Sequence, residues 1–217
     1  MMSPEFDIVL KKGAGILGFD LSPDQIRLMK RHAEQLSVWN KKMNLTAITT
    51  PDRMAEKHFI DSISAVPHIP SGGYLADLGS GGGFPGIPVK IMCPDLDVTL
   101  VDASQKKVNF LRHVIRTLEL KGIDAVHRRA EDLHHEPGFA NRYHCVISRA
   151  FTHLETFTSF AAPLLASKGV ICAMKGRKAQ DEFSPALESA FQLHIHPYQL
   201  PFEKSARKIV MLQRHSG

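Results

Sequence analysis

The sequence predicts an α/β fold, a mostly parallel seven-stranded sheet with an antiparallel edge, preceded by a small helical segment. Three observations carry this. Beyond residue 70 short apolar runs alternate with helical stretches, as strands joined by crossover helices do. The last two apolar runs are joined by a connection too short for a helix. Before residue 70 apolar residues recur at helical spacing instead.

The elements follow in order. In "LSPDQIRLMKRHAEQLSVWNKKMNLT" a helix starts with Ser22 as N-cap, Pro23 at the first helical position and Gln25 closing an S-x-x-Q capping box. Ile26, Met29, Ala33 and Leu36 form its apolar stripe, with Arg27, Lys30, Arg31 and Glu34 between them. "TTPDRMAEKHFIDSISAV" repeats the device with Thr50 and Pro51, and Ala55, Phe59, Ile63 and Val66 are its apolar face. Residues 1–70 are thus read as a helical N-terminal segment, and the Pro/Gly break at residues 69–73 opens the main domain, 71–217. There "YLADLGS", "DVTLVDA", "DAVHRR", "YHCVISRA" and "GVICAMKG" are strands covered on both faces, with "IPVKIMC" and "SQKKVNFLRHVIRTLEL" as helices. "FQLHIHPYQL" and "ARKIVMLQR" should pair antiparallel at the sheet edge.

Composition narrows the class. Across 217 residues, 43% hydrophobic and 23% charged is an ordinary globular balance, with no apolar run long enough for a membrane helix and no secretory signal pattern at the start. The expected location is the cytoplasm. Cys93, Cys145 and Cys172 are far apart and expected to be buried reduced thiols. The twelve histidines show no metal-ligand spacing, so no metal is expected. Net charge is +5, of which residues 1–70 supply only +1 (nine Lys/Arg against eight Asp/Glu), so a basic face for a polyanionic partner belongs mostly to the main domain.

The sharpest signal is "DLGSGGGFPGIP", residues 77–88, with five glycines between a strand and a helix. In that setting backbone amides and a helix N-terminus approach a ligand closely. Two ligand readings compete. Gly81, Gly83 and Gly86 satisfy G-x-G-x-x-G, and Asp102 follows at the distance of a ribose-binding acid, which reads as a nicotinamide or flavin dinucleotide site in an oxidoreductase. Asp77, Gly79, Gly81 and Gly83 spell D-x-G-x-G-x-G, the pattern of S-adenosylmethionine-dependent methyltransferases. Asp77 favours the second, because a carboxylate suits a cationic amine and sulfonium and repels a pyrophosphate; Asp102 suits either. A plain tight turn with Asp77 capping the helix is the third reading, disfavoured by the entropic cost of five glycines.

Seven stretches together, "WNKKMNLTAI", "KHFIDSI", "LADLGSGGGFPGIPVKI", "VDASQKKVNFLRHV", "RRAEDL", "VISRAF" and "MKG", resemble the family of ribosomal small-subunit methyltransferase G, also called glucose-inhibited division protein B. The resemblance runs in order from about Trp39 to Gly176. It implies a class I S-adenosylmethionine-dependent methyltransferase, Rossmann-like, that methylates N7 of one guanine in the 530 loop of 16S ribosomal RNA. By the same resemblance Gly79 and Phe84 line the methionine side of the cofactor, Asp102, Ala103 and Ser104 meet the ribose, and Ala130 and Glu131 flank the adenine. Arg149 stands near the reacting end, where it could hold the cofactor carboxylate, contact RNA or buttress a loop. Asn44, His58, Asp61 and Ser62 match motif positions in the helical segment.

Guanine N7 carries a lone pair and no proton, so its methylation needs alignment and no general base. The sequence agrees: no [N/D]-P-P-[Y/F] motif for amine methylation follows the fourth strand, and Cys145 and Cys172 lie inside strands, away from strand ends. Lys106 and Lys107 at a helix start, and Lys175 and Arg177 after the fifth strand, are candidate RNA contacts. His58 is expected to orient the helical segment and Trp39 to be core. The expected partner is 16S ribosomal RNA or a small-subunit precursor, and the expected state a monomer. A noncatalytic RNA-binding module on the same fold is the remaining alternative.

Overall fold

The structure is a computed structural model and describes residues 2–149, 151, 153–177 and 182–215. Seven strands form one sheet in the order β3-β2-β1-β4-β5-β7-β6: β1 Gly73–Leu78, β2 Leu96–Asp102, β3 Ile123–His127, β4 Tyr143–Ser148, β5 Leu165–Gly176, β6 Phe191–Gln199 and β7 Ala206–Arg214. The first five run parallel, and β7 enters antiparallel between β5 and β6. The fold expected from the sequence is the one observed. Because β1 lies between β2 and β4, its two neighbouring crossovers leave in opposite directions and open a crevice at the carboxyl ends of the strands.

Helices α1 Pro4–Ile16 and α2 Pro23–Met43 begin the chain. The capping box forms as expected, with Gln25 N–H donating to Ser22 Oγ and Ser22 N–H to Gln25 Oε1. The next helix is not uniform: α3 Pro51–Met54 widens into a π-helix over Ala55–Ile60 and tightens again as α4 Asp61–Ile63. Thr50 precedes it without a side-chain cap bond. Helices α5 Gly86–Met92, α6 Gln105–Thr117, α7 Leu154–Ala161 and α8 Pro185–Ala190 complete the layers.

The strand period of two splits the core into two. Leu75, Cys145, Ile147, Cys172, Ile209 and Met211 face one side, and Ala76, Val146, Ile171, Ala173, Val210 and Leu212 the other. The first side is where the N-terminal helices dock: Phe6, Leu10, Met29, Leu36 and Phe59 pack into the same cluster as Leu75 and Phe110. Trp39 is half-buried, its ring 5.6 Å from Phe110. Cys145 and Cys172 are buried free thiols, whereas Cys93, expected to be buried, is half-buried because it follows α5 at its C-terminal end.

Candidate active site

The chain leaves β1 through three residues in the left-handed region, Gly79 at φ 77°, Gly81 at φ 56° and Gly83 at φ 91°, a conformation that favours glycine. The loop is tied to β2: Gly79 and Ser80 N–H donate to Val101 O at 2.8 and 3.0 Å, and Ser80 Oγ accepts from Val101 N–H at 3.1 Å. A side chain at Gly81 would find open space, with Gly79 O at 3.9 Å its nearest neighbour. At Gly86 a Cβ would stand 2.3 Å from Leu100 Cδ2, so α5 begins pressed onto the sheet.

Asp77 lies beneath this loop, fully buried. Its Oδ2 accepts Gly86 N–H at 2.9 Å, while Oδ1 has no hydrogen-bond partner. Burial pushes its pKa up to about 7, against the pull of the Gly86 bond. The helix-capping geometry and an unpartnered carboxylate oxygen therefore occur in the same side chain. Asp102 ends β2 and joins the loop to the next turn, accepting from Gly81 N–H at 3.0 Å and Ser104 N–H at 2.8 Å, with Lys107 Nζ at 3.9 Å.

Gly79, Gly81, Phe84 and Arg149 meet at a cavity of 230 Å³, whose far wall is Leu45, Thr46 and His58 from the N-terminal segment. Asp102 reaches it only through Gly81, and Ala103, Ser104, Ala130 and Glu131 are outside its lining. Glu131 is exposed and pairs with Arg129 at 3.4 Å. Phe84 is stacked between His32 and His58, with centroids 4.8 and 4.6 Å away. His32 also donates from Nε2 to Gly82 O at 2.8 Å, so a residue of α2 grips the glycine loop.

A second cavity, 460 Å³, adjoins the first and shares His58 and Arg149 with it. Lys57, Asp61, Lys175, Tyr198 and Arg207 line it. Arg149 Nη1 donates to Lys57 O at 2.8 Å and Asp61 Oδ2 at 3.1 Å, and its guanidinium lies 5.3 Å from the Phe84 ring centroid. It thus buttresses the helical segment at the junction of the two cavities. Lys175 requires a correction: sequence reasoning had it meet RNA, yet its side chain is buried and its ammonium is held by Glu182 at 2.7 Å and Phe151 O at 3.0 Å. Burial at a β-strand end left that ammonium a protein partner instead of solvent. Arg177 and Lys106 are exposed and Lys107 half-buried.

Sequence reasoning missed His32, Thr46, Tyr198 and Arg207. Tyr198 and Arg207 sit side by side as register partners in the β6–β7 pair, a contact visible only after the strands are paired. His32 occupied a polar gap in the helical pattern, and its stacking on Phe84 depends on how α2 crosses the loop.

Both histidines stay neutral at ordinary pH. Burial lowers the His32 pKa to about 4, and burial followed by the Arg149 charge lowers His58 to about 3. Arg149 Nη2 lies 3.4 Å from His58 Nδ1, so the neutral ring carries its proton on Nε2 and donates to Thr46 Oγ1 at 2.9 Å. Below the unfolded value near 6.5 the unfolded chain takes up two protons that the folded histidines refuse, while folded Asp77 takes up one that the unfolded chain refuses down to about 4. From pH 6.5 towards 4 the difference is one proton, so stability should fall by about 1.4 kcal/mol per pH unit. Asp77→Asn should roughly double that slope, and denaturant titrations at several pH values measure it. A flat profile in Asp77→Asn would show that these histidines titrate freely in the folded state.

The model of the family "rRNA small subunit methyltransferase G" (GidB) matches residues 25–211. Curated relatives bearing the name "Ribosomal RNA small subunit methyltransferase G" include one from Geobacter sp. (strain M21), 42% identical over 95% of this chain and 97% of its own length. Another, from Geobacter metallireducens, is 40% identical over 98% of each chain. Among solved structures, a SAM dependent methyltransferase from Aquifex aeolicus superposes with a TM-score of 0.59 at 13% identity, covering 79% of this chain and 97% of that one, which is a likeness of fold.

Proposed function

Because the chain belongs to the rRNA small subunit methyltransferase G family, we propose that it methylates N7 of a guanine in the 530 loop of 16S ribosomal RNA. It is an S-adenosylmethionine-dependent RNA methyltransferase. The comparisons lend no support to the oxidoreductase or the noncatalytic reading. The observation that carries the proposal is the meeting of two cavities at Arg149 and His58, one floored by the glycine loop and the other lined with arginine and lysine.

The residues fit the donor. An orphaned, buried Asp77 oxygen suits a cationic amine, and the bare backbone at Gly81 is a cradle that a side chain would fill. On this reading Asp77, Gly79, Gly81, Gly83 and Phe84 hold the methionine end, Asp102 with Ala103 and Ser104 the ribose, and Ala130 and Glu131 the adenine. When bound, the donor supplies a methyl carbon activated by a positively charged sulfur. The chain's own part is alignment: Arg149 fixes the boundary between the donor and substrate cavities, and Phe84, clamped by two neutral histidines, keeps the loop from shifting. Neither His58 nor Asp77 is asked to take a proton, since N7 has none to give.

In this proposal residues 1–70 act as a wall of the substrate cavity, through Lys57, His58 and Asp61, and residues 71–217 form the catalytic domain. Lys106, Lys107 and Arg177 present positive charge to RNA phosphates. No helix among the described residues is long and apolar enough to cross a membrane, and we assign the enzyme to the cytoplasm as a monomer.

The direct test is transfer from methyl-labelled S-adenosylmethionine to rRNA or small-subunit particles lacking the modification, with the labelled nucleoside identified by mass spectrometry. Label in 7-methylguanosine from the 530 loop is expected; label in another nucleoside overturns the assignment of atom and site. Asp77 adds a pH signature. Its carboxyl must ionise to pair with the ligand amine, so S-adenosylhomocysteine affinity should weaken as pH falls through about 7. The loss should be about tenfold from pH 8 to pH 6. In Asp77→Asn, calorimetry should find weaker binding and a flat pH profile.

A further inference from the structure

Between the two arginines of the 460 Å³ cavity lies a carboxylate for which the reaction itself has no use. Asp61 is buried, with 5% of its surface exposed. Its Oδ2 accepts from Arg149 at 3.1 Å; its Oδ1 accepts the Tyr198 hydroxyl at 2.8 Å and lies 3.5 Å from Arg207 Nε. These partners come from the end of β4, from β6 and from β7, so one side chain of α4 ties three strands to the helical segment. Burial, and then the Asp61 charge, push the Tyr198 hydroxyl well above its ordinary range, which keeps it a donor.

The charges explain why the carboxylate is there. Two guanidiniums facing one cavity repel each other, and a single carboxylate between them removes that repulsion while leaving one positive charge in excess. The cavity's lysines do not change this sum, since Lys57 is paired with Glu203 and Lys175 with Glu182. A guanidinium bonded along one edge keeps donors on the other, a fork suited to phosphate.

We propose that Asp61 is a positioning residue for methyl transfer, orienting Arg207 and Arg149 as a pair that takes an RNA phosphate beside the reacting guanine. The proposal rests on the RNA methyltransferase reading and deepens it. Asp61 is part of the cavity wall, but its carboxylate oxygens are engaged by Arg149, Tyr198 and Arg207, so it acts through them.

The test uses the full chain, S-adenosylmethionine and small-subunit RNA. In Asp61→Asn kcat should fall about 100-fold, the cost of misplacing groups around a reacting centre. RNA affinity should hold or rise, because a negative charge has been removed, and the slope of log affinity against log salt should steepen by about one. A carboxylate with only a structural role would instead lower RNA affinity and unfolding temperature together, and that result overturns the proposal. Arg207→Gln, made alone and combined with Asp61→Asn, gives the second measurement. If Asp61 acts through Arg207, the double variant loses clearly less than the sum of the single losses; additive losses overturn the proposal. Should Asp61→Asn not fold, Arg207→Gln decides alone: a lowered kcat with a shallower salt slope supports it, and an unchanged kcat overturns it. The parent is assayed alongside. A parent that transfers no methyl group overturns the functional reading and this proposal with it, whereas an active parent with a fully active Asp61→Asn variant overturns this proposal only.

Discussion

Gly79→Arg should leave a protein that folds cooperatively and no longer binds S-adenosylhomocysteine, with affinity reduced at least ~100-fold, or about 2.7 kcal/mol. Gly79 lines the 230 Å³ cavity proposed for the donor and sits at φ 77°, so an arginine there is strained and adds bulk to that cavity's wall. The strain costs the fold about 1–2 kcal/mol, which the loop can bear because its bonds to Val101 O use backbone groups that the substitution leaves in place. Calorimetric titration reads the binding loss and thermal unfolding reads the fold. Retained binding at parental strength would mean the donor lies elsewhere, and the functional reading of the glycine loop would fail with it.

Arg149→Ala is expected to lower kcat/KM for methyl transfer by about 100-fold or more, the loss typical of removing a positioned charge from a reacting centre. The guanidinium spans from Lys57 O and Asp61 to the face of Phe84, and both cavities use it as a wall. Removing it takes away the wall the two cavities share and one partner of a buried carboxylate. Arg149→Lys should not rescue the rate, since a single ammonium lacks the planar fork that reaches two acceptors at once. Single-turnover transfer separates this loss from product release. Full activity in the lysine variant would reduce Arg149 to a point charge and remove its geometric role.

The strands were legible because apolar runs bounded by Gly, Pro and charge are local: β7 begins and ends at the expected residues, and the other six agree to within a few. Helix α1 was not singled out, because Gly13 and Gly15 weaken a helical pattern; at Gly13 the helix lies close against Ile60, where a Cβ would come within 2.3 Å of Cδ1. The π-helical stretch Ala55–Ile60 was likewise hidden. The periodicity of Ala55, Phe59 and Ile63 is compatible with a plain α-helix, and all three are buried whichever way the turn closes.

The candidate site divides along the same line. The glycine loop, Asp77, Asp102 and Arg149 were readable because they are contiguous with strand ends, and a strand's end fixes where its next residues go. The Lys175 ammonium was misread because exposure at a strand end depends on what packs beside it, here Glu182 and Phe151. The sequence by itself determined the order of strands and helices, the bare backbone after β1 and the family to which the chain belongs. Only the tertiary structure decided that His32 grips Gly82, that Phe84 is held between two neutral histidines, and that Asp61 joins Arg149, Tyr198 and Arg207. Those contacts span 26 to 146 residues of chain and form when the N-terminal helices and the β6–β7 pair close on one sheet face. The physical reason is that local pattern sets an element's type, while the charge and burial of a side chain are set by elements distant in sequence.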